Sequence, residues 1–480
     1  MQKPLTAEHF YKFFQCPHWI WYDIYGDQSK KGAVPALLEL INRGKSSATS
    51  SALGSHKKFE ELKSDVYKDL EEAHRATLEL MKQGKNIYHG VLMHNEWVGM
   101  PDLLEARPGS SRFGPWQYVV YDAQRSLELR DEHKFPLVFY SLILETIQGV
   151  RPTEAYMIDP SGNERSFAIA DFIDEFHLTR EEIERVLDGE KPAPFLKSTC
   201  KRTPWYSLCL EETEGCNDVS LVYRLSQSDQ RRLYDIGIHT VRDLAEANPE
   251  ALRTKLEDWP YDKIIRFSNQ ARALYSGQPL VLRTTAFPEV ATELYFDIES
   301  DPIRETDYLF GVLAVDVATG KEEYHPFLAK DAAGEEAMWH AFLDFLAPLE
   351  SYAVYHYAGY ERQVFDRLAL KYGAPHVIVD AFRERSIDVH QRVLDAVIFP
   401  LYFYTLKDVA KFLGFSWRNP RAGGAESVLW FDQYMSTGDE SLLQNLLAYN
   451  EDDVRATRLV KEWLAAQKPQ KGEQEMLDAS

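Results

Sequence analysis

The sequence predicts an α/β chain of more than one domain. Three observations carry this. Its 480 residues exceed what one ordinary domain holds. From residue 292 a run of three strands gives way to alternating helices and strands. The acidic excess is also uneven. The chain has 54 basic and 75 acidic residues, net −21. Residues 286–480 hold about 18 and 33 of them, which leaves the first 285 residues near −6, and such asymmetry hints at separate modules. With 45% apolar and 27% charged residues, the composition is that of a folded chain, neither disordered nor fibrous. No stretch approaches the roughly 18 uncharged apolar residues of a membrane helix. The opening MQKPLTAEHFYKFF lacks an apolar signal core, so a cytoplasmic protein with no membrane partner is expected. The net charge argues against a broadly basic coat for nucleic acid, though not against a local basic groove.

Taken in order, residues 57–84 read as one long amphipathic helix, with Phe59, Leu62, Val66, Leu70 and Leu78 at helical spacing. Residues 86–98 alternate weakly, as a strand. Residues 116–122 (WQYVVYD) read as a buried strand and 135–148 as an apolar helix. Residues 154–171 read as a strand pair around the turn Pro160-Ser161-Gly162-Asn163, and a further helix (TREEIERVLDG) follows. Residues 225–276 are helical around Asp235-Ile236-Gly237-Ile238-His239-Thr240. This turn resembles a helix–hairpin–helix unit, whose helix-start amides meet a phosphate; a plain helical linker is the alternative. Strands are expected at 292–299, 308–316, 322–328 and 352–356. Helices are expected at 333–348, 360–372, 387–397, 405–413, 426–435 and 441–466. The implied domains are 1–220, 221–285 and 286–466, with a polar tail at 467–480.

Four cysteines stand out: Cys16, Cys200, Cys209 and Cys216. A disulfide framework does not suit a large chain without an export signal. They are either scattered thiols or a four-thiolate site that clips the chain's start to residues 200–216. Pro17, His18, Trp19, Trp21 and Tyr22 would wrap it on one side, Trp205 and Tyr206 on the other. Iron–sulfur and zinc use the same ligands, and spacing does not decide between them.

In the second half, Leu294-Tyr295-Phe296-Asp297-Ile298-Glu299 sets two carboxylates on one face of a strand. Carboxylates within an apolar strand are costly unless solvated, paired or metal-bound. Tyr449 and Asp453, at i and i+4, share a helix face. Between them, Tyr355-His356-Tyr357-Ala358-Gly359-Tyr360-Glu361 runs from a strand end into a helix. In this order, the three pieces resemble the motifs of DEDD-type 3′–5′ exonucleases of the RNase H-like fold, in their tyrosine variant. Neighbouring stretches, Tyr404 to Val409, Ala422 to Ser427 and Tyr449 to Thr457, strengthen the resemblance, which covers about 290–466. It implies two Mg²⁺ or Mn²⁺ ions, the hard cations that oxygen ligands select. Asp297, Glu299, Glu361 and Asp453 would be the ligands, and Tyr449 would orient the attacking water. Glu361 stands where the family usually has Asp, and Asp366 is the fallback.

In the first half, Gly99-Met100-Pro101-Asp102-Leu103-Leu104 precedes Tyr118-Val119-Val120-Tyr121-Asp122-Ala123-Gln124-Arg125. Alternation puts Asp122 and Gln124 on one face. This resembles the PD-(D/E)xK core of RecB-like nucleases. Their iron–sulfur members, including CRISPR-associated and helicase-linked nucleases, place one cysteine before the core and three after it. The whole chain looks like bacterial RecB-like nucleases with a fused RNase H-like domain. The resemblance implies a 4Fe–4S cluster on Cys16, Cys200, Cys209 and Cys216, with zinc as the alternative. It also implies a second nuclease site with Asp102, Asp122, Gln124 and His56. The departures are Gln124 for the catalytic lysine, a blurred Gly54-Ser55-His56, Pro136 for a helix glutamine, and Thr203 where a second thiolate of a C-x2-C pair would fall. The expected second site is therefore degenerate and serves to bind substrate.

The function this implies is a metal-dependent 3′–5′ exonuclease of single-stranded nucleic acid, with DNA ranked ahead of RNA. A helicase or other DNA-processing protein, as in DNA repair, is the implied partner. The competing reading is a non-catalytic nucleic-acid-binding or scaffold protein with a structural cysteine cluster.

Overall fold

In the computed structural model the described residues are 4–33, 58–62, 66–123, 131–158, 163–301, 304, 306–420 and 422–469. They divide into two compact units, Met1–Glu212 and Thr213–Ser480. The helical stretch expected as a separate domain, 221–285, falls within the second.

The first unit centres on the hairpin of Leu103–Ser111 and Gly114–Ala123. It sits inside a six-stranded sheet ordered Glu60–Glu61, Ile87–Tyr88, Leu103–Ser111, Gly114–Ala123, Glu154–Ile158 and Glu164–Ala168. The helix Asp131–Gln148 leads from Gly114–Ala123 to its parallel neighbour Glu154–Ile158. Phe135, Leu137, Val138, Phe139 and Ile143 of this helix are fully buried. Phe10, from the helix Ala7–Gln15, packs on Phe135, Phe139 and Phe176. At the helix end the buried Gln148 closes a two-way amide pair with the Tyr118 backbone, at 2.7 and 3.1 Å.

The long helix expected over 57–84 is shorter. Its α-helical part is Leu70–Met81, preceded by a short 3-10 turn at Val66–Lys68, and Glu60–Glu61 is a strand. Asp69 explains the start: its carboxylate accepts from the Glu71 and Glu72 amides, so the chain enters the helix there. The single strand expected at 86–98 is three short ones, Ile87–Tyr88, Leu92–His94 and Trp97–Gly99. The strand pair Glu154–Ile158 and Glu164–Ala168 forms as expected.

The second unit begins with four helices, Gln227–Asp235, Val241–Glu246, Pro249–Lys255 and Tyr261–Ser276. The turn between the first two requires glycine, because Gly237 has φ +84°. Its amides are already used. The His239 and Thr240 N–H groups both donate to Asp243 Oδ2, at 3.1 and 2.8 Å. Gln270, on the helix Tyr261–Ser276, donates to the Phe399 and Leu401 carbonyls and accepts from Tyr404 Oη.

A five-stranded sheet follows, ordered Glu322–Leu328, Thr306–Asp316, Thr292–Asp301, Tyr352–His356 and Ser386–Asp388. The first three strands form an antiparallel meander, and the last two join in parallel. Alternation sorts the central strand. Leu294, Phe296 and Ile298 enter a core with Trp339, Phe342, Val364 and Phe365 of the helices Glu335–Leu346 and Tyr360–Tyr372. Tyr295 packs in the opposite core with Val454 and Val460 of the long helix Glu440–Ala466. Asp297 and Glu299 share its side of the sheet. Among the described residues no helix is long and apolar enough to cross a membrane.

Candidate active site

The central strand delivers Asp297 and Glu299, and the long helix delivers Asp453. Carboxylate oxygens of the three lie within 4.8 Å of one another. Each is held by a neutral donor. Asn450 Nδ2 donates to Asp297 Oδ2 at 2.7 Å. Ser427 Oγ donates to Glu299 Oε2 at 2.6 Å, and Trp417 Nε1 donates to Asp453 Oδ1 at 2.7 Å. Tyr449 is buried beside Asp453 and hydrogen-bonds it.

Close approach of helix and sheet depends on Gly311, which lies opposite Asp297 in the ladder. A Cβ there would fall 1.5 Å from Asn450 Oδ1. Hydrogen on that position therefore makes room for the amide that holds Asp297. Tyr324 Oη donates to the same Asn450 oxygen at 2.8 Å and fixes the amide's orientation.

The electrostatics are unfavourable without a cation. Burial, then the charges of Asp453, Glu299 and Glu361, push the Asp297 carboxyl well above the usual range. Burial and the Asp453 charge push Glu299 up to about 8, and burial raises Asp453 to about 6. The nearby cation is Lys407, whose ammonium lies 4.7 Å from the Tyr449 ring centroid and bonds the Ala422 carbonyl. Burial lowers its pKa while Asp453, Glu426 and Glu299 oppose the fall. Three crowded, buried carboxylates with oxygen donors fit a divalent cation of the Mg²⁺ or Mn²⁺ kind.

Glu361, the fourth expected ligand, is buried in the first turn of the helix Tyr360–Tyr372, near enough for its charge to act on Asp297. It lies outside the 4.8 Å group. Its Oε2 has no hydrogen-bond partner and sits 3.6 Å from His356 Nδ1. The loop before it is strained, with Ala358 at φ +79°, and the Ala358 amide is held by Asp388 Oδ1 at 3.0 Å. The fallback, Asp366, is engaged elsewhere, by Arg383 Nε at 2.9 Å. Glu451 and Asp452 are likewise engaged, by Arg418. This leaves Asp453 as the acid of that run that turns inward to the group.

Sequence reasoning missed Asn450, Ser427, Trp417 and Lys407 as site residues. All but Trp417 fall inside motif stretches that resemblance singled out. Trp417 carried no signal, because a lone tryptophan reads as core.

In the first unit, the structure brings Asp102 and Asp122 into contact. Asp102 Oδ2 accepts from the Ala123 amide at 2.8 Å, and its Oδ1 lies 3.4 Å from His89 Nε2. Burial pushes the Asp102 carboxyl up, but His89, Asp122 and the Ala123 amide outweigh it, and the net shift is downward. His56 and Gln124 lie outside the described residues.

The cysteines do not assemble as expected. Cys16, Cys200 and Cys209 are buried in the first unit, with the Cys16 thiol touching those of Cys209 and Cys200. Cys216 is exposed, falls in the second unit, and its thiol donates to the Thr213 carbonyl. The ligand-capable group around Cys16 is instead completed by His18. Thr203, at the position of the missing thiolate, is buried and donates from its hydroxyl to the Cys200 carbonyl at 2.9 Å.

A family model described as the RNase_H superfamily matches residues 294–465. That span contains the five-stranded sheet from its central strand on, all three converged carboxylates and the long helix. The carboxy-terminal part of the chain is thus RNase H-like, a class of domain with nuclease-type, metal-dependent activity on nucleic acid. No curated protein matches the chain.

Proposed function

We propose that the carboxy-terminal part is a 3′–5′ exonuclease that hydrolyses phosphodiester bonds of single-stranded nucleic acid, DNA ahead of RNA. The observation that carries this reading is the convergence of Asp297, Glu299 and Asp453 within 4.8 Å, on opposing elements of an RNase H-like sheet and helix. When bound there, a pair of divalent ions would supply an activated water and charge stabilisation for the leaving 3′ oxygen. The chain's own residues do the rest. Asp297 and Asp453 hold their carboxylates in place through Asn450 and Trp417. Tyr449, against Asp453, orients the attacking water. Glu361 is the fourth acid, and turning toward the site would loosen its 3.6 Å ion pair with His356. Lys407 offsets part of the negative charge on the site and on the incoming phosphate.

The first unit is proposed as a RecB-like nuclease fold whose own site is degenerate and whose role is to grip substrate. Support comes from its acid pair, which is already internally compensated by His89 and a backbone amide. A helicase or other DNA-processing protein is the proposed companion.

The test is incubation of metal-stripped protein with 5′-labelled single- and double-stranded DNA and RNA, with Mg²⁺ or Mn²⁺ added back. A ladder shortening from the 3′ end, dependent on the ion and lost in Asp297→Ala, supports the reading. Undiminished cleavage by Asp297→Ala overturns it.

A further inference from the structure

The buried group in the first unit does not fit the four-thiolate iron–sulfur cluster that resemblance implied. Such a cluster needs four terminal thiolates, each on a different iron, with sulfide ions between the metals, so the thiolate sulfurs stand well apart. Here the Cys16 and Cys209 sulfurs are 3.5 Å apart. Two thiolates on one tetrahedral ion with metal–sulfur bonds of about 2.3 Å lie about 3.8 Å apart. The spacing is that of ligands to a single ion. The fourth expected ligand, Cys216, is exposed, and its thiol donates to the Thr213 carbonyl.

His18 supplies what the thiolates lack. One of its ring nitrogens lies within 4.8 Å of both sulfurs, and the ring is buried. His18 Nε2 is 3.1 Å from the Pro192 carbonyl oxygen. A carbonyl only accepts, so Nε2 carries the proton and the neutral ring presents Nδ1 as its lone-pair nitrogen. A metal-ligating histidine is held in this way, its second nitrogen donating to a backbone carbonyl. Backbone groups also approach the sulfurs, that of His18 at Cys16 and that of Lys197 at Cys200. Spacing in the chain explains the convergence: Cys16 closes the helix Ala7–Gln15, and His18 opens the helix His18–Tyr25. Cys200 and Cys209 come from the far end of the unit. Thr199 Oγ1, donating to the Gln15 carbonyl at 2.6 Å, pins that end beside them.

We propose that Cys16, His18 and Cys209, joined by Cys200, whose thiol touches that of Cys16 but stands outside the three-ligand group, hold one tetrahedral zinc ion, a structural site that staples the first and last segments of the unit and excludes Cys216. All four corners are protein ligands, as in closed structural zinc sites, so the ion takes no part in hydrolysis. It closes a loop of nearly 200 residues, which an uncrosslinked chain would have to close against its own entropy.

The experiment is metal analysis of the full chain in an Asp297→Ala background, which removes the acidic site as a source of bound metal. The expected result is one zinc per chain in aerobic protein, with neither iron nor sulfide. Replacing that zinc with Co²⁺ should give the intense visible bands and sulfur-to-cobalt charge transfer of a tetrahedral thiolate site. Cys216→Ser, an exposed change, should keep the full zinc content. His18→Gln should release its zinc to a chelator faster by more than the roughly 10–100-fold that loss of a mere supporting partner costs. Cobalt spectra of the unsubstituted site keep the test sharp even if that variant folds poorly. Brown anaerobic protein containing iron and sulfide, with colour lost in Cys216→Ser, would overturn the proposal. So would protein with no metal under either preparation, or His18→Gln holding zinc as tightly as before. None of these outcomes bears on the nuclease reading, which is assayed at Asp297.

Discussion

Both units contain close carboxylates that sequence motifs had marked, and the two sets are held in opposite ways. In the first unit Asp102 is compensated from within: an imidazole, a backbone amide and its neighbour Asp122 hold its carboxyl below the usual range. In the second, Asp297, Glu299 and Asp453 receive neutral donors, and burial, joined at Asp297 and Glu299 by the charges of neighbouring acids, drives all three upward. A carboxylate satisfied by its own protein gains less from a metal ion. A crowded set left unsatisfied gains a great deal, because one divalent ion relieves several repulsions at once. The direction of the shift, more than the presence of acids in a motif, separates the two.

The largest expected effect tests that separation directly. Asp297→Ala or Asp453→Ala should lower nuclease activity by about 10³-fold or more, the scale on which several kcal/mol of metal-borne stabilisation is lost. Asp102→Ala should change it little. The sharpest substrate is circular single-stranded DNA, which has no 3′ end. Asp297→Ala protein that still cuts the circle, and stops when Asp102→Ala is added, would show that the first unit is live and that its compensated acids do bind a catalytic ion.

Gly311 offers a second, smaller break. Alanine at this position puts a methyl group where Asn450 Oδ1 now lies, and the amide must withdraw from Asp297. Loss of such an orienting partner should weaken Mn²⁺ binding by roughly 10–100-fold, read by calorimetry. Asn450→Ala should reproduce that weakening. Unchanged Mn²⁺ affinity in both variants would mean that Asp297 needs no orientation from the helix.

How much of this was legible follows from the range of the interactions involved. Strand alternation alone set Asp297 and Glu299 on one face, and the strand Tyr352–His356 matches its expected bounds. Those are local properties. The partners that fix the carboxylates are distant in the chain: Ser427 lies 128 residues from Glu299, and Trp417 lies 36 from Asp453. No local pattern encodes such pairs. The helix His376–Arg385 is absent from the expected elements because Val377-Ile378-Val379 is a β-branched run of weak helix propensity. Tertiary packing overrides it, with Phe382 stacked on Phe365 at 3.8 Å. His18 read as part of an aromatic wrapper. Its place beside Cys16 and Cys209 depends on a helix break at Pro17 and on a segment nearly 200 residues away. At residues 57–84 the spacing misleads in the opposite way: apolar residues recur at helical intervals straight through Asp69, a helix-start signal inside the run.

The opposed shifts also predict opposite pH responses of stability, measured without added metal. For Asp453 the folded value, about 6, lies above the ordinary carboxylate value. The folded state therefore holds this proton more tightly than the unfolded chain does. Below the unfolded value both states are protonated and nothing is lost. As pH rises through the unfolded value and on to about 6, folding loses stability, and the loss is complete above that. Asp453→Asn removes the charge but keeps an oxygen for Trp417. It should stabilise metal-free protein by roughly 1–3 kcal/mol at pH 7.5 and by much less at pH 4.5. Saturating Mn²⁺ should erase or reverse the gain, since the wild-type acid then has its counter-charge. Equal stabilisation at both pH values would detach the effect from ionisation.

Asp102 should show the mirror image, and the effect is the smallest of the set. Its folded value is depressed, so its ionised form contributes stability that is present above the unfolded value and is lost as pH falls through the folded one. Asp102→Asn leaves an oxygen for the Ala123 amide but no charge for His89. At pH 7 the cost should be roughly 1 kcal/mol, because a hydrogen bond to a charged acceptor is exchanged for one to a neutral amide. That cost should shrink toward pH 3, where the native carboxyl is itself being protonated. Mn²⁺ should leave it unchanged, in contrast to Asp453→Asn. If Mn²⁺ stabilises wild type but not Asp102→Asn, with the Asp297 site removed from both, then the first unit binds metal through Asp102. Its compensation by His89 would then be only the resting state of a working site.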